Sequence, residues 1–202
     1  MYIYDNTFWS DETKRTAGET HGSSDDYLGN SAALSADGRT IVAGAYGDDD
    51  NGLSSGSVYI FYGPNHGNLY KIHQENPEAD DYFGYTVAIS GDGNTIVAGA
   101  HGDDDNGDES GSLFVFTDSS TYWDNQVKLT ATDGAAGDYL GYSVAVSGDG
   151  RTIAAGAYNA HSTQGAVYVY HYNGTGWDTG TKLTAYDGVA DDCFGYDIAI
   201  SE

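Results

Sequence analysis

The chain has 202 residues, enough for one domain with a substantial hydrophobic core. Its 13% aromatic content, with 18 Tyr and 29 Gly against only 2 Pro, is typical of an ordered β-rich protein with many turns and excludes a disordered profile. Seven Lys and Arg against 31 Asp and Glu give a formal net charge of −24, which repels phosphate backbones and anionic membranes and excludes nucleic acid as a partner.

Cysteine content and apolar runs narrow the class further. The single Cys193 excludes an internal disulfide framework and a cysteine-based metal site. The longest apolar runs span four to six residues, far below the roughly 20 that cross a bilayer. No charged segment followed by an apolar stretch comes after Met1. These features predict a chain that does not insert into a membrane.

A repeat of about 55 residues organises the whole chain. Segments 27–61, 82–116 and 139–170 superimpose almost without gaps, and a fourth copy begins at 193. The phase is marked by four glycines that are 55, 57 and 54 residues apart, namely Gly29, Gly84, Gly141 and Gly195. Periods of this length are typical of propellers and solenoids. The repeat therefore divides the chain into a partial unit (1–26), three full units (27–81, 82–138 and 139–192) and the start of another (193–202).

The first partial unit begins in the middle of the pattern. Met1 to Tyr4 aligns with Val58 to Phe61, the aromatic strand of the next unit. A segment around Lys14 then aligns with the last strand of the later units. We expect residues 1–26 to supply only the third and fourth strands of a unit.

Each full unit contains four short strands, which we label a to d. In the second unit, strand a covers Tyr85 to Ile89, strand b Thr95 to Ala100 and strand c Leu113 to Phe116. Asp-Gly pairs stand between a and b at 37–38, 92–93 and 149–150. Such a pair between apolar runs is the strongest short-range hairpin signal, so a and b are predicted to be antiparallel neighbours.

Strands b and c carry the packing signals. Strand b ends in Ala-Gly-Ala in every unit, which suits a crowded place where backbones converge, such as the centre of a propeller. Strand c alternates aromatic residues such as Phe114 with aliphatic residues such as Val115. Both of its faces are therefore apolar, as packing between neighbouring blades requires.

Lysine identifies strand d. All four lysines (Lys14, Lys71, Lys128 and Lys182) lie 13 to 15 residues before a marker glycine. Three of them follow a tryptophan by five residues, at Trp9, Trp123 and Trp177, and His66 takes that place in the remaining copy. Lysine on an outer strand protects a sheet edge from pairing with other chains. We predict that strand d is the exposed edge and that its lysines protect it.

Together these elements predict an all-β fold, a β-propeller built from four-stranded antiparallel blades, with three full blades and partial blades at both ends. The closing segment Tyr196 to Ile200 is predicted to be strand a of a further blade. Because propellers have four to eight blades, three arrangements remain open. The chain is part of a propeller of about seven blades, which we favour, or it closes as four blades, or its terminal strand completes a neighbouring molecule.

The repeat resembles a known family. Phe-Gly at 83–84 and 194–195, Gly-Ala at 44–45, 99–100 and 156–157, and Gly-Ser-Val-Tyr-Ile-Phe at 56–61 resemble the FG-GAP repeat of integrin α-subunit propellers and of bacterial and algal surface proteins. This resemblance implies an extracellular or cell-surface, non-catalytic recognition module. Tyr46, His101 and Tyr158 replace the family's Pro, and the turn between a and b is too short for the integrin calcium loop, so that calcium site is not carried over.

A different acidic loop, between strands b and c, is a candidate calcium site. Carboxylates on a Gly-terminated turn can bring several oxygens to one hard cation, and Ca²⁺ takes six to eight of them. The candidate ligands are Asp48, Asp49, Asp50 and Asn51 in the first unit and Asp103, Asp104, Asp105, Asn106 and Asp108 in the second. The alternative is a solvated turn capped by its own Asp and Asn side chains. The third unit lacks these acids, and the Asp-Asp pairs at 25–26, 80–81 and 191–192 leave the same choice between ligand and turn.

The sequence gives little support for catalysis. Its six His are scattered, and no metalloprotease, nucleophile-elbow or phosphate-loop motif is found. One glycosylation sequon, Asn173-Gly174-Thr175, lies between strands c and d of the third unit. Two functions therefore compete. One is adhesion or recognition of a protein or glycan, with Ca²⁺ as a stabilising ion. The other is a structural subunit of a surface layer, filament or appendage that assembles with copies of itself through open blade edges.

Overall fold

The computed structural model describes residues 2–4, 12–14, 25–63, 66–118 and 123–201, and for 2–4 and 12–14 it describes the backbone alone. Within these ranges the chain forms fourteen strands and one helical turn. The predictions made for Trp9 and for the side chain of Lys14 lie outside the described residues.

Three four-stranded antiparallel sheets follow one another along the chain, and each has its strands in sequence order. The first blade contains β3 (Ala32–Leu34), β4 (Thr40–Ala45), β5 (Ser57–Tyr62) and β6 (Asn68–Ile72). The second contains β7 (Val87–Ile89), β8 (Thr95–Ala100), β9 (Ser112–Thr117) and β10 (Asn125–Leu129). The third contains β11 (Ser143–Val146), β12 (Thr152–Ala157), β13 (Ala166–His171) and β14 (Thr181–Leu183). These sheets confirm the predicted four-stranded blades.

The two ends of the chain differ from one another. β1 (Tyr2–Tyr4) and β2 (Glu12–Lys14) pair antiparallel, with Tyr2 opposite Lys14, as expected for strands c and d of a partial blade. The predicted strand at Tyr196 to Ile200 is wrong, because these residues form no strand. In the other copies strand a is held by hydrogen bonds to strand b. The described residues contain no strand b for 196–200 to pair with.

Serine and aspartate fix the turn between strands a and b. In the first blade the Ser35 hydroxyl donates to Asp37 Oδ1 over 2.8 Å, and the same carboxylate oxygen accepts the Arg39 amide over 3.0 Å. Gly38 has a φ of 68°, the left-handed conformation that such a turn requires. The turns of the other two blades repeat these bonds. The hairpin predicted from the Asp-Gly pairs is therefore confirmed.

Neighbouring blades meet backbone to backbone. The Ala-Gly-Ala end of strand b does lie where backbones converge, but the contact is with the marker glycine of the next blade. A methyl group on Gly99 would lie 1.9 Å from the Gly141 carbonyl oxygen. Strands a of adjacent blades also contact each other, which places them at the centre. The joint therefore fixes how each blade sits on the next.

The hydrophobic core lies between the blades. One buried cluster joins the first and second blades, with Val58 and Ile60 packed against Phe83. Another joins the second and third blades, where Val115 packs with Leu140. In β5 the residues Val58, Tyr59 and Ile60 are all fully buried, although they alternate between the two faces. This confirms that strand c is apolar on both sides.

Candidate functional site

The acidic loop of the first blade closes on a lysine of the same blade. Lys71, on β6, places its Nζ atom 2.6 Å from Asp48 Oδ2 and 2.6 Å from Asp50 Oδ2. The Tyr59 hydroxyl donates to the same Asp48 oxygen over 3.2 Å, and the lysine nitrogen lies 5.4 Å from the centre of the Tyr59 ring. The Asp48 side chain is only 2% exposed. The loop carboxylates thus have an internal cation.

The second blade repeats this arrangement. Lys128, on β10, lies 2.6 Å from Asp103 Oδ2 and also contacts the carboxylate of Asp105. Here Phe114 replaces the tyrosine, and its ring centre lies 5.4 Å from the lysine nitrogen. The hydroxyl that tyrosine would supply is replaced by Ser112, which donates to Asp103 Oδ1 over 2.8 Å. The pair of lysine and buried aspartate is kept although its surroundings change.

The third blade keeps the lysine but obtains its acid from another segment. Ala160 stands where the other blades have a buried aspartate, and the loop forms a short turn, α1 (Ala160–Thr163), in which His161 has a left-handed φ of 55°. Lys182 instead lies 2.7 Å from Asp133 Oδ2, and Tyr168 donates to Asp133 Oδ1 over 2.8 Å. Asp133 precedes the blade rather than lying in its b–c loop. The ion pair therefore survives the loss of the loop acid.

These contacts correct the predicted role of the lysines. Strand d is the outer strand, as predicted, but its lysines turn inward across strand c instead of standing in solvent. Burial alone would lower the pKa of Lys71, but its hydrogen bonds to Asp48 and Asp50 outweigh burial and raise it. The same causes raise the pKa of Lys128. Each of these lysines therefore remains charged while partly buried.

The structure separates the predicted calcium ligands into two groups. Asp48 with Asp50, and Asp103 with Asp105, converge on a lysine. The other candidates point elsewhere: Asp49, Asn51 and Asp108 are exposed, Asp104 accepts the Glu109 amide over 2.7 Å, and Asn106 donates to the Ala131 carbonyl over 3.1 Å. In the part of the chain that is described, no three carboxylate, imidazole or thiol groups are placed to hold a metal ion. Calcium binding by these loops stays a prediction.

An acidic cavity of about 440 Å³ lies between the first and second blades. Its wall includes six carboxylates and one lysine, from Glu75, Glu78, Asp81, Asp103, Asp104, Asp105 and Lys128. Burial, more than any other cause, raises the pKa of Asp81 to about 6. Its carboxylate accepts the Glu78 amide over 2.6 Å and contacts the Gln74 amide. Asp81 thus closes a turn at the cavity wall.

The aspartates before the marker glycines have the same turn-closing role. Asp138 accepts the Ala135 amide over 2.9 Å, and Asp192 accepts the Val189 amide over 2.8 Å. Both bonds span three residues, as the bond from Glu78 to Asp81 does. A short polar side chain that caps a backbone amide is a common way to fix a turn. Of the two alternatives for these pairs, the geometry favours the turn.

A continuous band of aromatic rings crosses all three blades, and the sequence did not lead us to predict it. We call it the aromatic band. Its members are Tyr27, Tyr46, Tyr82, Tyr85, His101, Tyr139, Tyr142, Tyr158 and Tyr196. They come from three positions of the repeat: two residues before the marker glycine, directly after that glycine, and directly after the Gly-Ala of strand b. The band is therefore built by the repeat itself.

Stacked pairs form the basic unit of the band. Tyr27 stacks on Tyr46, with ring centres 4.9 Å apart and planes 4° from parallel. In the next two blades Tyr82 stacks on His101 at 5.1 Å, and Tyr139 stacks on Tyr158 at 5.6 Å. Rings that follow the marker glycines link these pairs, since Tyr85 lies 5.4 Å from Tyr46 and 4.4 Å from His101. Such ring pairs stabilise beyond the apolar area that they bury.

Backbone strain accompanies the first ring of each pair. Tyr27, Tyr82 and Tyr139 have φ values of 57°, 56° and 59°, in the left-handed region that non-glycine residues rarely adopt. The preceding blade holds this conformation, because the amide of Tyr82 donates to the Ser54 carbonyl and that of Tyr139 to the Glu109 carbonyl, both over 3.1 Å. Strained residues of this kind cluster at functional sites. Their recurrence in phase directs attention to this band.

His101 is the only imidazole of the band. Its Nδ1 atom is buried without a hydrogen-bond partner, and burial lowers the pKa of the ring to about 4. The other two blades place a tyrosine at the same position. His101 is therefore neutral in the folded protein at pH 7, where it serves as one more stacked ring.

This depressed pKa predicts a loss of stability in mild acid. Between pH 6.5, the ordinary value, and about 4, the unfolded chain binds a proton at His101 that the folded chain refuses, so stability falls as the pH falls. The loss is at most about 3 kcal/mol, from 1.36 kcal/mol per pKa unit. His101→Tyr should remove it. Urea unfolding at pH 7 and pH 4.5 measures the difference, and an equal acid loss in both proteins would contradict this assignment.

The predicted glycosylation site lies in an exposed turn between β13 and β14. Asn173 Oδ1 accepts the amide of Thr175 over 2.9 Å and its hydroxyl over 2.8 Å. The side chains of both residues belong to exposed positions. Glycosylation of Asn173 stays a prediction.

Blades of four antiparallel strands, joined glycine to glycine with strands a at the centre, define a β-propeller-type repeat protein. The FG-GAP repeat family matches residues 9–61, 67–116 and 123–170, and because these segments make up well over half of the chain, it belongs to that family. The family's repeat runs from strand d of one blade to strand c of the next. No curated protein matches the chain. None of the described helical segments is long and apolar enough to cross a membrane.

Proposed function

We propose that the chain is a non-catalytic recognition module of an extracellular or cell-surface protein, and that it binds a protein or glycan through the aromatic band. The observation that carries this proposal is the band's continuity: rings from three successive blades touch one another, and Tyr27 and Tyr196 at its two ends are each 55% exposed. Tyrosine offers a large rigid surface with a polar tip, which suits recognition. FG-GAP propellers are typically non-catalytic, which supports the absence of an enzymatic role.

The test is binding to immobilised glycans and extracellular-matrix proteins. Tyr139→Ala removes the outer ring of one stacked pair, whereas Tyr186→Ala removes a tyrosine that is 99% exposed and outside the band. We expect saturable binding that Tyr139→Ala weakens at least tenfold, about 1.4 kcal/mol, and that Tyr186→Ala leaves unchanged. Binding to no probe, or equal binding by both variants, would overturn the proposal.

Calcium is the ion that we propose for the acidic loops, as a stabiliser of the recognition face. The support is the chemistry of the loops: the first two blades each bring two carboxylates together around a single lysine charge. A ligand at 100 times its Kd adds about 2.7 kcal/mol of stability. Millimolar Ca²⁺ should therefore raise the melting temperature above that measured in a chelator, and Asp103→Asn should reduce the rise. An unmoved melting temperature would exclude calcium.

A second candidate function is assembly with copies of the same chain into a layer, filament or appendage. It is favoured by the outer face of the third blade. Leu183 is 46% exposed and Phe194 is 38% exposed, whereas the equivalent Leu129 and Leu140 in the joint before them are buried. A blade face of this composition packs against another blade elsewhere in the molecule. Light scattering across a concentration series tests the idea: growth in mass that Leu183→Glu abolishes supports assembly, and a constant monomer mass refutes it.

The extracellular location has its own test. In a eukaryotic secretory host, the exposed Asn173 turn should receive a glycan, seen as a mobility shift that glycosidase reverses. Asn173→Gln is the matched control, because it removes the acceptor amide position while leaving the rest of the turn in place. A secreted protein without a shift would contradict glycosylation at this site.

A further inference from the structure

Three phenol groups of the aromatic band form a hydrogen-bonded chain across the blade joints. The Tyr85 hydroxyl donates to the Tyr142 hydroxyl over 3.3 Å, and Tyr142 donates to the Tyr196 hydroxyl over 3.1 Å. Both neighbouring ring pairs have their centres 5.1 Å apart, with planes inclined by 39° and 46°. Tyr142 therefore lies between two other phenols, each of which belongs to a different repeat.

This geometry favours a radical coupling reaction. A tyrosine that loses one electron and its phenolic proton becomes a neutral radical, with spin density on the oxygen and on the two ring carbons beside it. Two such radicals join through those carbons to give dityrosine. Because the phenol oxygens already touch, the neighbouring carbons are held close together, and the coupling is unimolecular rather than diffusive.

We propose that Tyr142 is a site of intramolecular oxidative cross-linking, which joins it to Tyr85 or Tyr196 as dityrosine when a peroxidase acts with hydrogen peroxide. Two phenols give up two electrons and two protons, which reduce one peroxide to two waters. One carbon–carbon bond forms between the rings. The hydrogen on each coupled carbon then moves to its own oxygen, so both phenols are restored and the protein is lighter by two hydrogen atoms.

The band also contains an entry point for the oxidation. The Tyr139 hydroxyl donates to Glu109 Oε2 over 2.6 Å, so a carboxylate stands ready to take the phenolic proton as an electron leaves. Tyr158 stacks on Tyr139 at 5.6 Å and lies 4.4 Å from Tyr142, which connects the two phenols by ring contacts. At the other end, Tyr196 is 55% exposed and accessible to an oxidant.

The product would act as a covalent staple between blades. A bond between Tyr85 and Tyr142 ties the start of the second blade to the start of the third. The chain has a single cysteine, so an internal disulfide is not available for this purpose. Cross-links that close long loops restrict the unfolded chain and thereby stabilise the folded one. The stapled protein should therefore unfold at a higher urea concentration than the untreated protein.

The experiment treats dilute protein with peroxidase and hydrogen peroxide. Dityrosine fluorescence and intact mass follow the reaction, and proteolysis with mass spectrometry maps the bond. Tyr142→Phe keeps the ring and removes the phenol, and Tyr186→Phe is the matched control because its hydroxyl lies in a side chain that is 99% exposed and outside the band. We expect monomers lighter by two hydrogens, linked through Tyr142, in the wild type and in Tyr186→Phe, and a loss of at least tenfold in Tyr142→Phe.

Several outcomes would overturn the proposal. They are cross-links between molecules only, cross-links that map to Tyr186, no dityrosine at all, and an unchanged yield in Tyr142→Phe. Circular dichroism melting confirms that this variant folds. If it does not, the double variant Tyr85→Phe with Tyr196→Phe replaces it, since it removes both partners and leaves Tyr142 intact. Because the readout is covalent chemistry, it is independent of whether the band binds any partner.

Discussion

Gly99→Ala is expected to destabilise the fold more than any other conservative substitution that we can name. The new methyl carbon would lie 1.9 Å from the Gly141 carbonyl oxygen and 2.8 Å from its carbon, inside the backbone of the next blade. A backbone cannot yield as a flexible side chain does. The second and third blades must separate, which disrupts the core between them. We expect a loss of more than about 4 kcal/mol, the range reserved for severe core disruption.

The matched control for this prediction is Gly176→Ala. Nothing lies within 4 Å of a methyl group at that position, so the change should stay within about 0.5 kcal/mol, as for an ordinary surface substitution. Urea unfolding of both variants beside the wild type measures the difference. Gly44 and Gly156 face the next marker glycine at 1.8 Å and 1.9 Å and should behave like Gly99. A Gly99→Ala protein as stable as the wild type would show that the joint is loose.

The strand pattern could be predicted because each signal is local and recurs three times. The Asp-Gly turns, the apolar strand b and the two-faced strand c are set by neighbours a few residues apart. The Ala-Gly-Ala end of strand b was also recognised as a crowded position. Its partner was not, because the contact is with a glycine of the next blade, about one repeat away along the chain.

The aromatic band and the lysine pairs could not be predicted for a related reason. Tyrosine recurs at three phases of the repeat, and this recurrence was the available signal, but a period does not say which phases meet in space. Tyr85 and Tyr142 are 57 residues apart and touch only because the blades stack. Likewise, a lysine on an outer strand fits edge protection as well as an ion pair. Only the fold shows that Lys71 crosses strand c to reach Asp48.

The third blade shows that the ion pair, rather than the loop, is what the repeat retains. Its b–c loop has lost the buried aspartate, and Asp133 supplies a carboxylate from a different segment at nearly the same distance from the lysine. The lysine nitrogen also keeps its place over the ring of strand c, 5.2 Å from the centre of Tyr168. A solvated turn would have no need of such compensation. The acids of the first two blades are therefore best understood together with their lysines.

Lys71→Met should reveal how much one of these pairs contributes. Methionine keeps the apolar stem of the side chain and removes the charge that lies 2.6 Å from both Asp48 and Asp50. Asp48 is 2% exposed, so its carboxylate would remain buried with no cation beside it. Removing one partner of a buried ion pair costs about 3–5 kcal/mol, and we expect a loss near the lower value because Asp50 is largely exposed.

Two further variants distinguish a charge effect from a packing effect. Adding Asp48→Asn to Lys71→Met removes the uncompensated charge and should restore at least half of the lost stability. Lys182→Met should cost less than about 1 kcal/mol, because its partner Asp133 is 52% exposed and water can replace the lysine. Unfolding midpoints in urea at pH 7 give all three values. If the two single lysine variants lose equal stability, or if Asp48→Asn restores nothing, then the lysine acts through the packing of its stem over the ring and not through its charge.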